Sequence, residues 1–168
     1  IAGGTDLISC FMLGNPVSPV WRGEIQEAGL GMALAVFGED GLPTPAGAGA
    51  GELVCTQPFP SRSVGFWNDP EETAQRMVDG WVKTGDVGRI DANGFLYLLD
   101  RANDLIVSGG YNIYPAEIEN VIADHPQVIA AAVFGIPHEK WGETPLALVV
   151  VAPGVELLEQ DIVDLVSR

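Results

Sequence analysis

Three stretches of this 168-residue chain set oxygen and nitrogen groups at spacings that could do chemistry. Near the start, Gly3-Gly4-Thr5-Asp6 places a glycine pair before a hydroxyl and a carboxylate, the hard oxygen donors that a phosphate group or a magnesium ion calls for. An ordinary Gly-Thr-Asp turn is the plainer alternative. In the middle, Thr84-Gly85-Asp86 presents a carboxylate, which can accept from two donors at once, although a solvated turn residue would look the same. Fifteen residues later Arg101 offers a guanidinium fork suited to pairs of oxygens, in a polar junction with Asp100, Asn103 and Asp104. Leu105-Ile106-Val107 then runs into Ser108-Gly109-Gly110, where two glycines permit backbone conformations closed to other residues and let a ligand approach the chain.

Other chemistries lack their residues. Cys10 and Cys55 stand far apart with no CxxC spacing, and His125 and His138 are the two histidines, so neither a zinc site nor a disulfide framework is expected. Reduced cysteines in a cytoplasmic protein are the plain reading. His138 has no cysteine or serine nucleophile motif beside it and reads as a loop residue. Residues 46–51, AGAGAG, lack the Lys and Ser or Thr of a phosphate loop and read as a flexible hairpin loop. A formal net charge of −15, from 23 acidic against 8 basic side chains, repels phosphate backbones and anionic headgroups. Nucleic acid is therefore not an expected partner. The apolar runs 128–136 and 145–152 are too short to span a bilayer, so no transmembrane segment is expected and both read as buried strands.

The positioning elements follow from periodicity and punctuation. Short β-type runs at 23–26, 32–37 and 52–56 suggest a small barrel or meander. Asp69, Pro70 and Glu72 predict a short helix with a capping box, ending before Asp79-Gly80. Residues 87–91 and 95–99 predict a hairpin across Ala92-Asn93-Gly94. A helix begins at about Pro115, with Glu117 and Glu119 near its positive end and Ile118, Val121 and Ile122 on one face. Strands at 128–135 and 146–151 and a final helix carrying Leu158, Ile162, Leu165 and Val166 complete a small α+β module.

Taken together, Gly3-Gly4-Thr5-Asp6, Trp81-Val82-Lys83-Thr84-Gly85-Asp86 and residues 100–119 resemble, in order, the signatures of the adenylate-forming (AMP-binding) superfamily, in particular its acyl-CoA synthetases. Residues 1–70 look like acetoacetyl-CoA synthetases, and residues 80–168 look like the general fatty-acyl and aryl-CoA synthetases. The resemblance implies an α/β protein: residues 1–101 as the β-rich end of a large N-terminal domain, 102–104 as a hinge, and 105–168 as a small α+β C-terminal domain. It also implies that the chain is an internal fragment, without an upstream phosphate loop and truncated before the catalytic lysine.

By the same resemblance Thr5 meets the nucleotide phosphate and Asp6 the magnesium, where relatives more often carry Glu. Asp86 accepts both ribose hydroxyls of ATP, Arg101 contacts ribose or phosphate, and Asn112 belongs to the ATP/AMP site. Gly109 and Gly110 border the entry of CoA, and Asn103 takes the hinge position, usually Asp or Lys. Trp141 either stacks on the adenine or pantetheine of CoA or simply packs a strand edge. The implied parent reaction joins a carboxylic acid, fatty or keto, to CoA through an acyl-adenylate, using ATP and Mg2+. Two rivals stay open: transfer to a carrier-protein thiol, and a non-catalytic nucleotide-binding or interaction fragment. The chain by itself is expected to be inactive, since its partners include the missing flanking parts of the same protein.

Overall fold

The computed structural model describes residues 1–4, 7–78 and 80–167, so Thr5 and Asp6 lie outside the described residues. The chain divides into two compact units, Ile1–Ala102 and Asn103–Arg168.

The first unit holds two antiparallel sheets. In one, β1 (Ala2–Gly4), β2 (Ser9–Leu13) and β3 (Glu27–Ala28) pair in sequence order. In the other, β4 (Leu34–Phe37), β5 (Gly51–Cys55), β6 (Val82–Ile90) and β7 (Leu96–Arg101) form a meander. Phe11, Leu53, Cys55 and Leu96 lie at the centre of the core, with Ala2, Leu7, Val36 and Val82 packed among them. The short helix α1 (Pro70–Arg76) precedes β6 and buries none of its residues.

Several local expectations change. The run at 23–26 is not a strand, because Gln26 is buried and its amide gathers the loop before it: Nε2 faces the carbonyls of Asn15, Ser18 and Pro19, and Oε1 accepts from the Asn15 N–H at 2.8 Å. Asp69 caps α1 by accepting from the Glu72 N–H at 2.9 Å, but the Glu72 carboxylate turns to Arg76 instead of closing a capping box. The loop after β6 has one positive dihedral, at Gly94 (φ 91°); Asp91 organises the rest by accepting from the amides of Asn93 and Phe95. The AGAGAG stretch is tied at both ends. Gly47 donates to the Ile90 carbonyl at 2.8 Å, and Gly51 already belongs to β5, where a side chain would collide with the Phe37 carbonyl.

The second unit is one four-stranded sheet of order β10-β11-β8-β9, built from β8 (Ile106–Ser108), β9 (Tyr111–Ile113), β10 (Val128–His138) and β11 (Gly142–Val151). Helices α2 (Pro115–Ala123) and α3 (Glu159–Val166) cover one face of it. There Ile118, Ile122 and Ile162 pack with Ala131, Val133, Ala147 and Val149. Val121 departs from the expected face, being 41% exposed, whereas Glu119 turns inward and accepts from the Val133 N–H at 2.8 Å.

The two apolar runs are longer strands than expected and are not buried on both sides. Period two sends Ala131, Val133, Ala147 and Val149 to the helices, and it necessarily sends Phe134, Leu146, Leu148 and Val150 to the opposite, exposed face. Pro137 and His138 pair with Glu143 and Gly142, so His138, expected in a loop, ends a hairpin strand.

Ile122 is fully buried and joins α2 to the sheet. Ile122→Ala is expected to cost about 2–5 kcal/mol. Amide exchange in β8, β10 and β11 should accelerate while exchange in β4–β7 stays at the wild-type rate. Equal acceleration in both sets would contradict separate cores.

Candidate functional site

Trp81, which opens the central motif, packs its ring on Phe37 with centroids 4.9 Å apart, and this anchors the start of β6. Beyond it the strand is shaped by hydrogen bonds that a regular ladder would not make. The Thr84 hydroxyl donates to the Leu53 carbonyl at 2.9 Å and accepts from the Asp86 N–H at 3.2 Å. Gly85 between them has φ 77°, a left-handed conformation that a side chain would strain, and its carbonyl accepts from the Ala102 N–H at 2.9 Å.

Asp86 consequently lies opposite Arg101 in the β6–β7 register, and Arg101 Nη1 meets Asp86 Oδ1 at 2.8 Å. The pair is lopsided: the Asp86 side chain is 11% exposed and that of Arg101 61%. Burial pushes the Asp86 carboxyl above the ordinary carboxylate range, and the guanidiniums of Arg101 and Arg76 pull it back without cancelling the effect. A nearly buried carboxylate with one exposed cation can still accept from further donors, which is what a diol-bearing ligand supplies.

Arg101 also lines a cleft of about 310 Å3 with Gly3, Gly4, Leu7, Phe11, Lys83 and Thr84. The glycine pair of the first motif and the residues of the second thus border one space, although Thr5 and Asp6, assigned to phosphate and metal, lie outside the described residues. Gly3 is needed as glycine, because a Cβ there would strike the Ser9 carbonyl across β1–β2. Lys83 is a cleft residue that motif reading passed over. Its ammonium pairs with Glu52 Oε2 at 3.0 Å on β5, a partner 31 positions away with no local signal in the sequence.

Among the described residues no group of three His, Cys, Asp or Glu side chains could hold a metal ion. A magnesium site on this chain would rest on Asp6 together with substrate phosphates, a donor set compatible with an ion that keeps most of its waters. Cys55 is fully buried and its thiol is pushed up to about 11 by burial, which leaves it protonated and unreactive at neutral pH.

The second unit carries the other residues. Gly109 and Gly110, at φ 59° and 86°, form the two-residue turn between β8 and β9, with Ser108 opposite Tyr111 and Val107 opposite Asn112. Trp141, at the tip of the β10–β11 hairpin, lies against this turn. The Gly109 N–H donates to its carbonyl at 2.8 Å, and a Cβ on Gly109 would approach Trp141 Cε3 to 2.7 Å. Trp141 is 45% exposed, with Lys140 Nζ 4.2 Å from the ring centroid, so one part packs the turn and the rest faces outward. His138 accepts at Nδ1 from the amides of Lys140 and Trp141 and so builds the tip. Asn103 is exposed in the turn at 102–104. An apolar groove of about 630 Å3 between α2, α3 and the sheet has Leu158, Ile162, Val149 and Val151 in its walls and offers packing surface more than reactive groups.

Three comparisons bear on this arrangement. Residues 117–168 match the family model of the AMP-binding enzyme C-terminal domain. Over 118 residues, 70% of this chain and 20% of the relative, the chain is 44% identical to a medium/long-chain-fatty-acid–CoA ligase of Mycobacterium tuberculosis. It is 45% identical over 132 residues, 79% of this chain and 25% of the relative, to a fatty acid–[acyl-carrier-protein] ligase of Streptomyces coeruleorubidus. Its fold is similar to the o-succinylbenzoate CoA synthetase of Bacillus subtilis in complex with the acyl-adenylate intermediate OSB-AMP, with TM-score 0.84 and 33% identity over 98% of this chain and 33% of that one. The chain spans between a fifth and a quarter of the length of these curated relatives.

The raised Asp86 carboxyl makes a sign prediction. A group held above its ordinary value contributes stability that is present at low pH and is lost as the pH rises through its folded-state value. Asp86→Asn, which keeps the shape and cannot ionise, should therefore gain stability relative to wild type as the pH rises from about 4 to 7. Urea midpoints of both chains across that range measure it, and a gap that stays constant or narrows would contradict the burial effect.

Proposed function

From the premise that this chain belongs to the adenylate-forming superfamily, we propose that it forms the nucleotide-facing edge and the thiol-facing module of an acid–thiol ligase. That ligase converts a carboxylic acid, fatty or keto, and ATP into an acyl-adenylate and pyrophosphate, then transfers the acyl group to CoA. The observation that carries the reading is the Asp86–Arg101 pair beside the cleft bordered by Gly3, Gly4, Lys83 and Thr84.

Each group has a task in this reading. Asp86 accepts from the two ribose hydroxyls, an ionised acceptor for two donors. Arg101 lends positive charge to the phosphate side of the cleft, and Thr5 and Asp6 take the phosphate and the magnesium. Asn112 joins the nucleotide site. Positioning and charge stabilisation are the catalytic resources, since adenylation turns a poor leaving group into a good one without a nucleophilic side chain. In the second half-reaction the CoA thiolate attacks the acyl carbon and AMP leaves. The Gly109-Gly110 turn, with no side chains to obstruct a narrow pantetheine arm, borders that approach, and the exposed part of Trp141 offers a stacking surface.

The similarity to a carrier-protein ligase favours a second reading, in which the same acyl-adenylate is passed to the phosphopantetheine thiol of a carrier protein. CoA and carrier present the same pantetheine arm to the turn. Supplying each acceptor separately with preformed acyl-adenylate distinguishes them.

In the complete enzyme, Asp86→Ala is expected to raise the KM for ATP about ten- to hundredfold, since charge-assisted hydrogen bonds of roughly 1.5–3 kcal/mol are lost. Initial rates against ATP concentration check this, and an unchanged KM would sink the ribose assignment.

Asn103 carries the proposed pivot between the two half-reactions. Asn103→Pro fixes one backbone dihedral near about −65° and removes an amide donor, so a rotation that changes this dihedral is blocked in one end state. Pyrophosphate exchange and single-turnover thioester formation should then separate, one retained and the other sharply slowed. A folded variant, verified by circular dichroism, that keeps both or loses both equally would move the pivot elsewhere.

A further inference from the structure

Gly85 is open on one side because it has no Cβ, and that space is filled by a side chain outside the motif. A Cβ built on Gly85 would lie 2.5 Å from Nη1 of Arg76, the last residue of α1. The guanidinium is held there from its other end, where Nε donates to Glu72 Oε1 at 2.8 Å one helical turn earlier. Its side chain is 27% exposed, so it lies along the protein surface instead of extending into water. The charges that face Asp86 are then Arg101 from β7 and Arg76 from α1, while Lys83, on the strand of Asp86 itself, is occupied by Glu52 of β5.

We propose that Arg76 is a positioning residue of the nucleotide site: clamped by Glu72 and seated on the bare face of Gly85, its guanidinium fixes the Thr84-Gly85-Asp86 turn and holds Asp86 as the charged acceptor. The proposal rests on the ribose reading for its functional meaning, but the hold on Asp86 is a property of the unliganded chain. Two features require a second cation. Asp86 is nearly buried, which disfavours its charge, and the Arg101 side chain is 61% exposed, so solvent screens its attraction for the carboxylate. A protonated Asp86 would lose part of its acceptor capacity and would compete with the ribose hydroxyls as a donor. A cation on the Gly85 side keeps the carboxylate ionised without occupying the face that a ligand must reach. The positive φ is the reason this residue is glycine, and the guanidinium occupies the space its missing Cβ leaves.

The test uses the 168-residue chain with Arg76→Gln, which removes the charge, and Arg76→Lys, which keeps it. Both variants should fold, because α1 buries none of its residues. The Asp86 carboxyl carbon is followed by NMR from pH 3 to 8. Its titration midpoint should move upward in the Gln variant and stay near wild type in the Lys variant. Three identical midpoints would overturn the proposal, and so would a Lys variant displaced as far as the Gln variant, since geometry and not charge would then be responsible. AMP is added as the second probe. It should shift the Gly85 and Asp86 amides of the wild-type chain, and in the Gln variant the effect should fade at a higher pH than in wild type. If AMP leaves those amides unmoved while the midpoints behave as expected, the ribose reading fails and the hold of Arg76 on Asp86 stands.

Discussion

A charged carboxylate kept nearly out of water is the constraint on which the first unit depends. Asp86 can be charged only where cations and hydrogen-bond donors replace the solvent it has lost. The β6–β7 register supplies Arg101 directly opposite, the Thr84 hydroxyl ties the preceding turn to β5, and Gly85 takes a left-handed conformation that a side chain would strain. Burial makes the group expensive to ionise, and the same burial strengthens each hydrogen bond it accepts.

Glycine plays the same part twice. Gly85 makes room for the guanidinium of Arg76, and Gly109 makes room for the indole of Trp141. Each has a positive φ, and each brings a long side chain from a distant segment against a turn of backbone. Trp141 packs its inner atoms on the turn, and nearly half of its surface is exposed.

The second unit is asymmetric in a different way. Helices α2 and α3 cover one face of its sheet, and Phe134, Leu146, Leu148 and Val150 lie on the other. An apolar exposed face of this kind suits a module that works against other surfaces. The chain spans a fifth to a quarter of the length of its curated relatives.

The sequence by itself determined what depends on neighbours along the chain. Glycine and proline punctuation, the cap at Asp69, the apolar periodicity of α2 and the three ordered motifs were all legible, and with them the superfamily and the α/β class. Side-chain direction was less so. Period two showed that β10 and β11 have two faces but not that only one is covered, and helical spacing grouped Val121 with Ile118 when Glu119 is the residue turned to the sheet. Nor could spacing pair Lys83 with Glu52, or place Arg76 over Gly85, because these contacts join segments separated by loops whose paths no local rule specifies. Tertiary structure decided them for a physical reason: charge and burial act through space, and the field at Asp86 is the sum over whatever the folded chain brings within a few ångströms of it.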